Sequence, residues 1–144
     1  MQPQSHGQHS VTPYLVMKDC HNAVAFYTTV FGAKELFRTT SPEGSIDHVE
    51  VEIGDSLIML AEAHPGSSAM SPFALGGTTV TIVLYVPDVD QVFDRAIATG
   101  ATVDDPVKDK PYGDRSGTII DPFGHRWTIA TRIADVSPQG MSEI

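Results

Sequence analysis

Apolar and polar positions follow one another in the same order twice along the chain. From Thr12, "TPYLVMKDCHNAVAFYTTVFGA" opens with an apolar strand, closes it near Asp19, continues as an amphipathic helix and stops at Gly32-Ala33. From Thr81, "TIVLYVPDVDQVFDRAIATGA" does the same through Asp88 and ends at Gly100-Ala101. Ala23, Val24, Tyr27, Val30 and Phe31 recur at helical spacing, as do Val89, Val92, Phe93, Ala96 and Ile97. Asp19 and Asp88 are suited to accept from the first unsatisfied N–H groups of each helix. Gly32 and Gly100 are suited to left-handed caps at the other end.

Three strand-like pieces follow each helix. In the first half these are "KELFRTT", "DHVEVEI" and "SLIMLAE"; in the second they are "TVDDPVK", "SGTIID" and "RWTIATR". Gly54 and Gly124 hold equivalent hairpin positions before the last strand. The pattern predicts an α+β fold, two βαβββ modules in tandem whose curved mixed sheets enclose a cavity. A single module would leave one sheet face bare, since its one helix covers only the other. The modules are expected at residues 11–63 and 78–132. A Pro/Gly/Ser-rich linker spans 64–77, and flexible ends occupy 1–10 and 133–144.

Composition narrows the classes. The chain has 144 residues and is 41% hydrophobic, enough for a core, and no apolar run approaches the ~18–20 residues of a membrane span. The net charge of −9 lacks the basic face that nucleic-acid binding needs; it reads as a solvated acidic surface, with a mild preference for cationic ligands as the alternative. The N-terminus has neither a basic segment nor an apolar one, so no secretory signal is expected. The single cysteine, Cys20, cannot form an internal disulfide, and a cytoplasmic location is expected.

The segments "TPYLVMKD", "AFYTTVFGA", "DHVEVEIGDSLIML", "YVPDVDQVFDRAIATGA" and "YGDRSGTIIDPFGHRWTIAT" resemble the vicinal oxygen chelate superfamily. That group contains glyoxalase I, bleomycin-resistance proteins and extradiol dioxygenases, and the chain looks most like its PhnB-like glyoxalase relatives. The resemblance covers about residues 11 to 132. It implies a homodimer and a cavity for a small organic ligand. In metal-dependent members, His, Glu or Gln stands on the first and last strand of each module. Matching by the repeat puts those positions at Thr12, Met59, Thr81 and Thr128. One thioether and three hydroxyls make a poor site for any common divalent ion, so no metal or other cofactor is expected.

Other polar residues carry the remaining candidates. Alternation puts His48, Glu50 and Glu52 on one face of "DHVEVEI" and Val49, Val51 and Ile53 on the other. His48 and Glu50 are candidates for proton transfer, against the alternative of a solvated polar edge. Tyr14 shares parity with Thr12 and is placed to stack on a flat ligand. Tyr112 and Arg115, entering a strand in "YGDR", are candidates to close over a ligand, Arg115 as an anion anchor. The alternative is an internal pair of Arg115 with Asp114 or Asp121. "DPFG" reads as a structural turn that sets the register of the last hairpin. His125 lies in that turn as a further ligand-binding candidate, with Trp127 and Ile129 toward the core and Arg126 and Thr128 toward the cavity. Three functions compete: a metal-independent binding protein, a metal-independent isomerase or lyase with Glu50 as base and His48 as its orienter, and a metalloenzyme with its metal relocated to His48 and Glu50, completed by His125 or a partner chain.

Overall fold

The computed structural model describes residues 9–137, so most of the expected leader and the end of the expected tail lie outside the described residues. The chain forms two compact units divided between Gly77 and Thr78. In the first, β1 (Tyr14–Met17), α1 (Cys20–Phe31), β2 (Lys34–Thr40), β3 (Ile46–Ile53) and β4 (Ser56–Glu62) build a four-stranded sheet ordered β1-β4-β3-β2. A single helical turn, α2 (Pro72–Leu75), follows. The second unit repeats the order with β5 (Thr81–Tyr85), α3 (Val89–Ala98), β6 (Thr102–Asp109), β7 (Asp114–Ile120) and β8 (Arg126–Arg132), ordered β5-β8-β7-β6. The first and last strand of each module pair in parallel and the other neighbours are antiparallel. The fold is therefore α+β, two tandem βαβββ modules with mixed sheets.

The two longer helices, α1 and α3, each begin where an aspartate can satisfy them. Asp19 Oδ1 accepts from Asn22 N at 3.1 Å, and Asp88 Oδ1 from Gln91 N at 3.2 Å. Gly32 caps α1 at φ 70°, as its missing Cβ allows. In α3 the cap is Thr99 at φ −98° instead, and Gly100 takes the positive φ one residue later. The helices pack on one face of their own sheets. Toward α1 the first sheet buries Leu15, Met17, Val49, Val51 and Leu60, against Ala23, Val24, Tyr27, Val30 and Phe31. Toward α3 the second buries Ile119, Trp127 and Ile129, against Val89, Val92, Phe93 and Ala96.

The turn at "DPFG" has one organiser. Asp121 is buried; its Oδ1 accepts from Phe123 N and His125 N, both at 2.9 Å, and its Oδ2 from the indole Nε1 of Trp127 at 2.9 Å. One carboxylate thus ties the turn to the largest core side chain and holds Trp127 and Ile129 toward α3. Beyond β8, Ile133 and Ala134 still donate to Gly113 O, at 2.9 and 3.1 Å, although fraying is expected there from sequence. Pro106 lies in β6, an edge strand, where its missing N–H costs no ladder bond.

Candidate functional site

The uncovered face of the first sheet gathers chemistry in one row. Tyr14 opposes Met59, Met59 opposes Glu50, and Glu50 opposes Phe37, so these four side chains share a face across β1, β4, β3 and β2. His48 joins them two residues from Glu50. Its imidazole lies between two aromatic rings, with centroids 5.8 Å from Tyr14 and 5.9 Å from Phe37. His48 Nε2 approaches Glu50 Oε2 at 3.3 Å, and both side chains are half-buried. Tyr14 and Phe37 remain about half exposed. The valines of β3 are buried beneath α1, and the pair stands on the face the helix leaves open.

The matching row of the second unit is different. Thr128 takes the place of Met59 and Thr118 that of Glu50, and their hydroxyls bond each other at 2.7 Å. Val83, in the place of Tyr14, is exposed, as is Thr81. Arg126 is held by Asp104 at 2.8 Å. His125 lies half-buried in the Asp121 turn, with its backbone carbonyl accepting from Asp121 N at 2.8 Å.

Arg115 pairs with neither Asp114 nor Asp121. It is expected from sequence as an anion anchor facing a ligand, or paired with Asp114 or Asp121. It instead alternates with Gly117 and Ile119 onto the α3 side. There it grips both oxygens of Asp90 at 2.9 Å and Asp109 Oδ1 at 3.0 Å. These hydrogen bonds raise the guanidinium pKa still further, and Arg115 holds Asp90 below the usual carboxylate range. Both of its donor edges are engaged by the protein itself. Tyr112 is exposed, and its carbonyl accepts from Arg132 Nη1 at 3.0 Å, fixing its backbone and leaving its ring outward.

Phe37 has no part in the sequence-based candidate set. Its strand pairs with a register shift between Glu35 and Phe37, which alternation alone does not reveal. A separate groove of about 530 Å³ in the first unit is lined by Lys18, His64, Met70 and Phe73 among others. None of the candidate site residues lines it.

The model of the Glyoxalase/Bleomycin resistance protein/Dioxygenase superfamily matches residues 7–129. The chain belongs to this superfamily. A Mycobacterium bovis protein is 40% identical over 131 residues, covering 89% of this chain and 86% of that one. The crystal structure of TioX from Micromonospora sp. ML1 is 29% identical with a TM-score of 0.67, over 90% of this chain and all of the other. A PhnB protein from Bacillus cereus shares the fold at 16% identity and a TM-score of 0.68, over 85% and 99% of the two chains.

The metal positions implied by the superfamily can be tested against this chain's donors. In the first unit they are Thr12, half-buried just before β1, and Met59; in the second they are Thr81 and Thr128. Hydroxyls and a thioether do not fit a divalent cation, and Thr128 already shares its hydroxyl with Thr118. Among the described residues, no group of three or more His, Cys, Asp or Glu is placed to hold a metal ion. No helix among them is long and apolar enough to cross a membrane.

Proposed function

We propose that the chain is a small-molecule-binding member of the superfamily, holding an organic ligand on the uncovered face of its first sheet without a divalent ion. The observation that carries this reading is His48, set between the half-exposed rings of Tyr14 and Phe37 with Glu50 at 3.3 Å. Two aromatic faces and the Met59 thioether supply apolar contact, and the His–Glu pair supplies a donor and an acceptor at the centre. The bleomycin-resistance proteins named in the superfamily's description support a binding reading for this chain. The proposal includes a homodimer, as the resemblance implies, and a cytoplasmic location, in keeping with the single cysteine; sedimentation equilibrium tests the assembly.

A thermal-shift screen of small organic molecules tests the binding reading. It expects ligands that raise the melting temperature and are recovered unchanged. Rapid, complete conversion of every stabilising ligand would overturn it. Metal analysis of chelator-free protein belongs to the same experiment, and one tightly held divalent ion per chain would contradict the metal-independent part.

One observation favours a second reading. The 3.3 Å approach of His48 Nε2 to Glu50 Oε2 lets the imidazole orient a carboxylate that removes a proton beside a carbonyl. This would make the protein a metal-independent isomerase or lyase. Replacing Glu50 by Gln keeps shape and ligand contact while removing the base. On this second reading the variant binds but no longer converts; on the first, both proteins bind and neither converts.

A further inference from the structure

The Pro/Gly/Ser-rich segment after β4 does more than connect the two units. Ala63 N donates to Met17 O at 2.8 Å, which prolongs the β1–β4 pairing and sets Lys18 beside the start of the segment. A turn follows, with Ser67 N donating to His64 O at 3.2 Å and Gly66 at φ 82°. Ser71 and Pro72, both buried, then bring the chain into α2. The groove of about 530 Å³ lies along these pieces, and every residue that lines it belongs to the first unit.

Its lining runs against the character of the chain. The sequence holds 18 Asp and Glu, yet none of those described lines the groove. Lys18 does, and its ammonium makes no hydrogen bond or ion pair among the described residues. Arg38, Lys110, Arg115, Arg126 and Arg132, by contrast, are each held by a carboxylate. Capping does not require the lysine, because the repeat sets Pro87 before Asp88 where Lys18 stands before Asp19. His64 also lines the groove, with Nε2 3.8 Å from Asp47 Oδ1; Asp47 itself does not line it. Ser71 is 5% exposed, and its Oγ accepts from Ala74 N at 3.3 Å. The hydroxyl proton of Ser71 has no acceptor among the described residues.

The rest of the wall is apolar. Met70 and Phe73 line the groove while 44% and 65% exposed, so a ligand lying there removes apolar surface from water that the fold leaves wet. The volume falls within the range of about 300–1,000 Å³ that holds a small organic molecule. An anion approaching a chain of net charge −9 needs a local cation, and Lys18 supplies one with no carboxylate on the same wall to compete for it. We propose that this groove is a second binding site, for a small amphipathic monocarboxylate. Lys18 contacts the carboxylate, the Ser71 hydroxyl is the second donor, and Met70 and Phe73 hold the apolar body. The site is separate from the His48 face and does not depend on that reading.

Sodium 4-phenylbutyrate tests this on the full chain, with 4-phenyl-1-butanol and 4-phenylbutylammonium chloride as controls at equal ionic strength. Amide NMR should show saturable shifts at residue 18 and across 63–74 with the carboxylate, weaker ones with the alcohol, and none with the ammonium compound. Lys18→Gln should weaken phenylbutyrate about fivefold, as expected of one solvent-accessible ion pair, and leave the alcohol's affinity unchanged. Lys18→Arg should keep the binding. Phe73→Ala should weaken carboxylate and alcohol alike. His48→Ala should leave the shifts intact. Ligands taken from the thermal-shift screen to test the His48 face are chosen without a carboxylate, which keeps the two sites apart. No saturable shift, shifts centred on residues 14, 37 and 48, an equal response to the ammonium compound, or unchanged phenylbutyrate affinity in Lys18→Gln would overturn the proposal.

Discussion

Replacing Asp121 by Ala should destabilise the protein more than any other single change on the second module's hairpin. The side chain accepts three hydrogen bonds, from Phe123 N, His125 N and Trp127 Nε1, and is itself buried. Hydrogen bonds to a charged acceptor contribute about 1.5–3 kcal/mol each, but the two turn amides can recover part of this from water. The indole N–H cannot, because Trp127 is fully buried. Taking the indole at about 2 kcal/mol and the two amides together at about 2, the loss is about 4 kcal/mol. With a urea slope of about 2 kcal/mol per molar, the unfolding midpoint should fall by about 2 M. Trp127 is the chain's only tryptophan, so intrinsic fluorescence reads unfolding and the local environment at once. Asp121→Asn, which keeps one acceptor, should lose about half as much. A midpoint shift below about 0.5 M for Asp121→Ala would refute the view that this carboxylate organises the turn.

Three further outcomes follow from the same geometry. A Cβ on Gly117 would meet Phe93 Cε2 at 2.7 Å and Val107 N at 2.9 Å, so Gly117→Ala should cost about 1–3 kcal/mol in chemical denaturation. Burial, reinforced by the Glu62 carboxylate, pushes the Cys20 thiol up to about 12, so a disulfide reagent at pH 8 should label it only as fast as the protein opens; immediate labelling would contradict this. The raised pKa of Tyr85 means its hydrogen bond to Asp114 stabilises the fold fully below the ordinary phenol value of about 10 and is lost as pH rises through the higher folded value. In an ultraviolet titration Tyr85 should therefore ionise above the ordinary phenol value, and the difference between the wild-type curve and that of Tyr85→Phe should show that late step.

The fold was legible because its determinants are local and repeated. Capping aspartates, alternation in β3, β4 and β8, and a glycine after each helix all point to the same modules. The single turn α2 was not, since four residues show no periodicity and its start depends on Ser71 Oγ accepting from Ala74 N. Boundaries mattered most at β7. The apolar run suggests a strand from Ser116, but pairing begins at Asp114 opposite Arg132. Arg115 is thereby carried to the helix side, where Asp90, 25 residues away in sequence, captures it. No local pattern contains that contact. Phe37 escaped for a related reason, because the register shift in β2 breaks the simple alternation that would assign it a face. His48 and Glu50 could be placed together because β3 alternates without interruption between them.

On the proposed function, an organic ligand sits against His48 between Tyr14 and Phe37. Amide and side-chain NMR of the labelled protein, titrated with a stabilising ligand from the thermal-shift screen, tests it most directly. Saturable shifts are expected at residues 14, 37, 48, 50 and 59, lost in His48→Ala while the melting temperature of the unliganded variant stays within a few degrees. Shifts centred instead on Lys18, His64 and Phe73 in the separate groove, or unchanged affinity in His48→Ala, would contradict it.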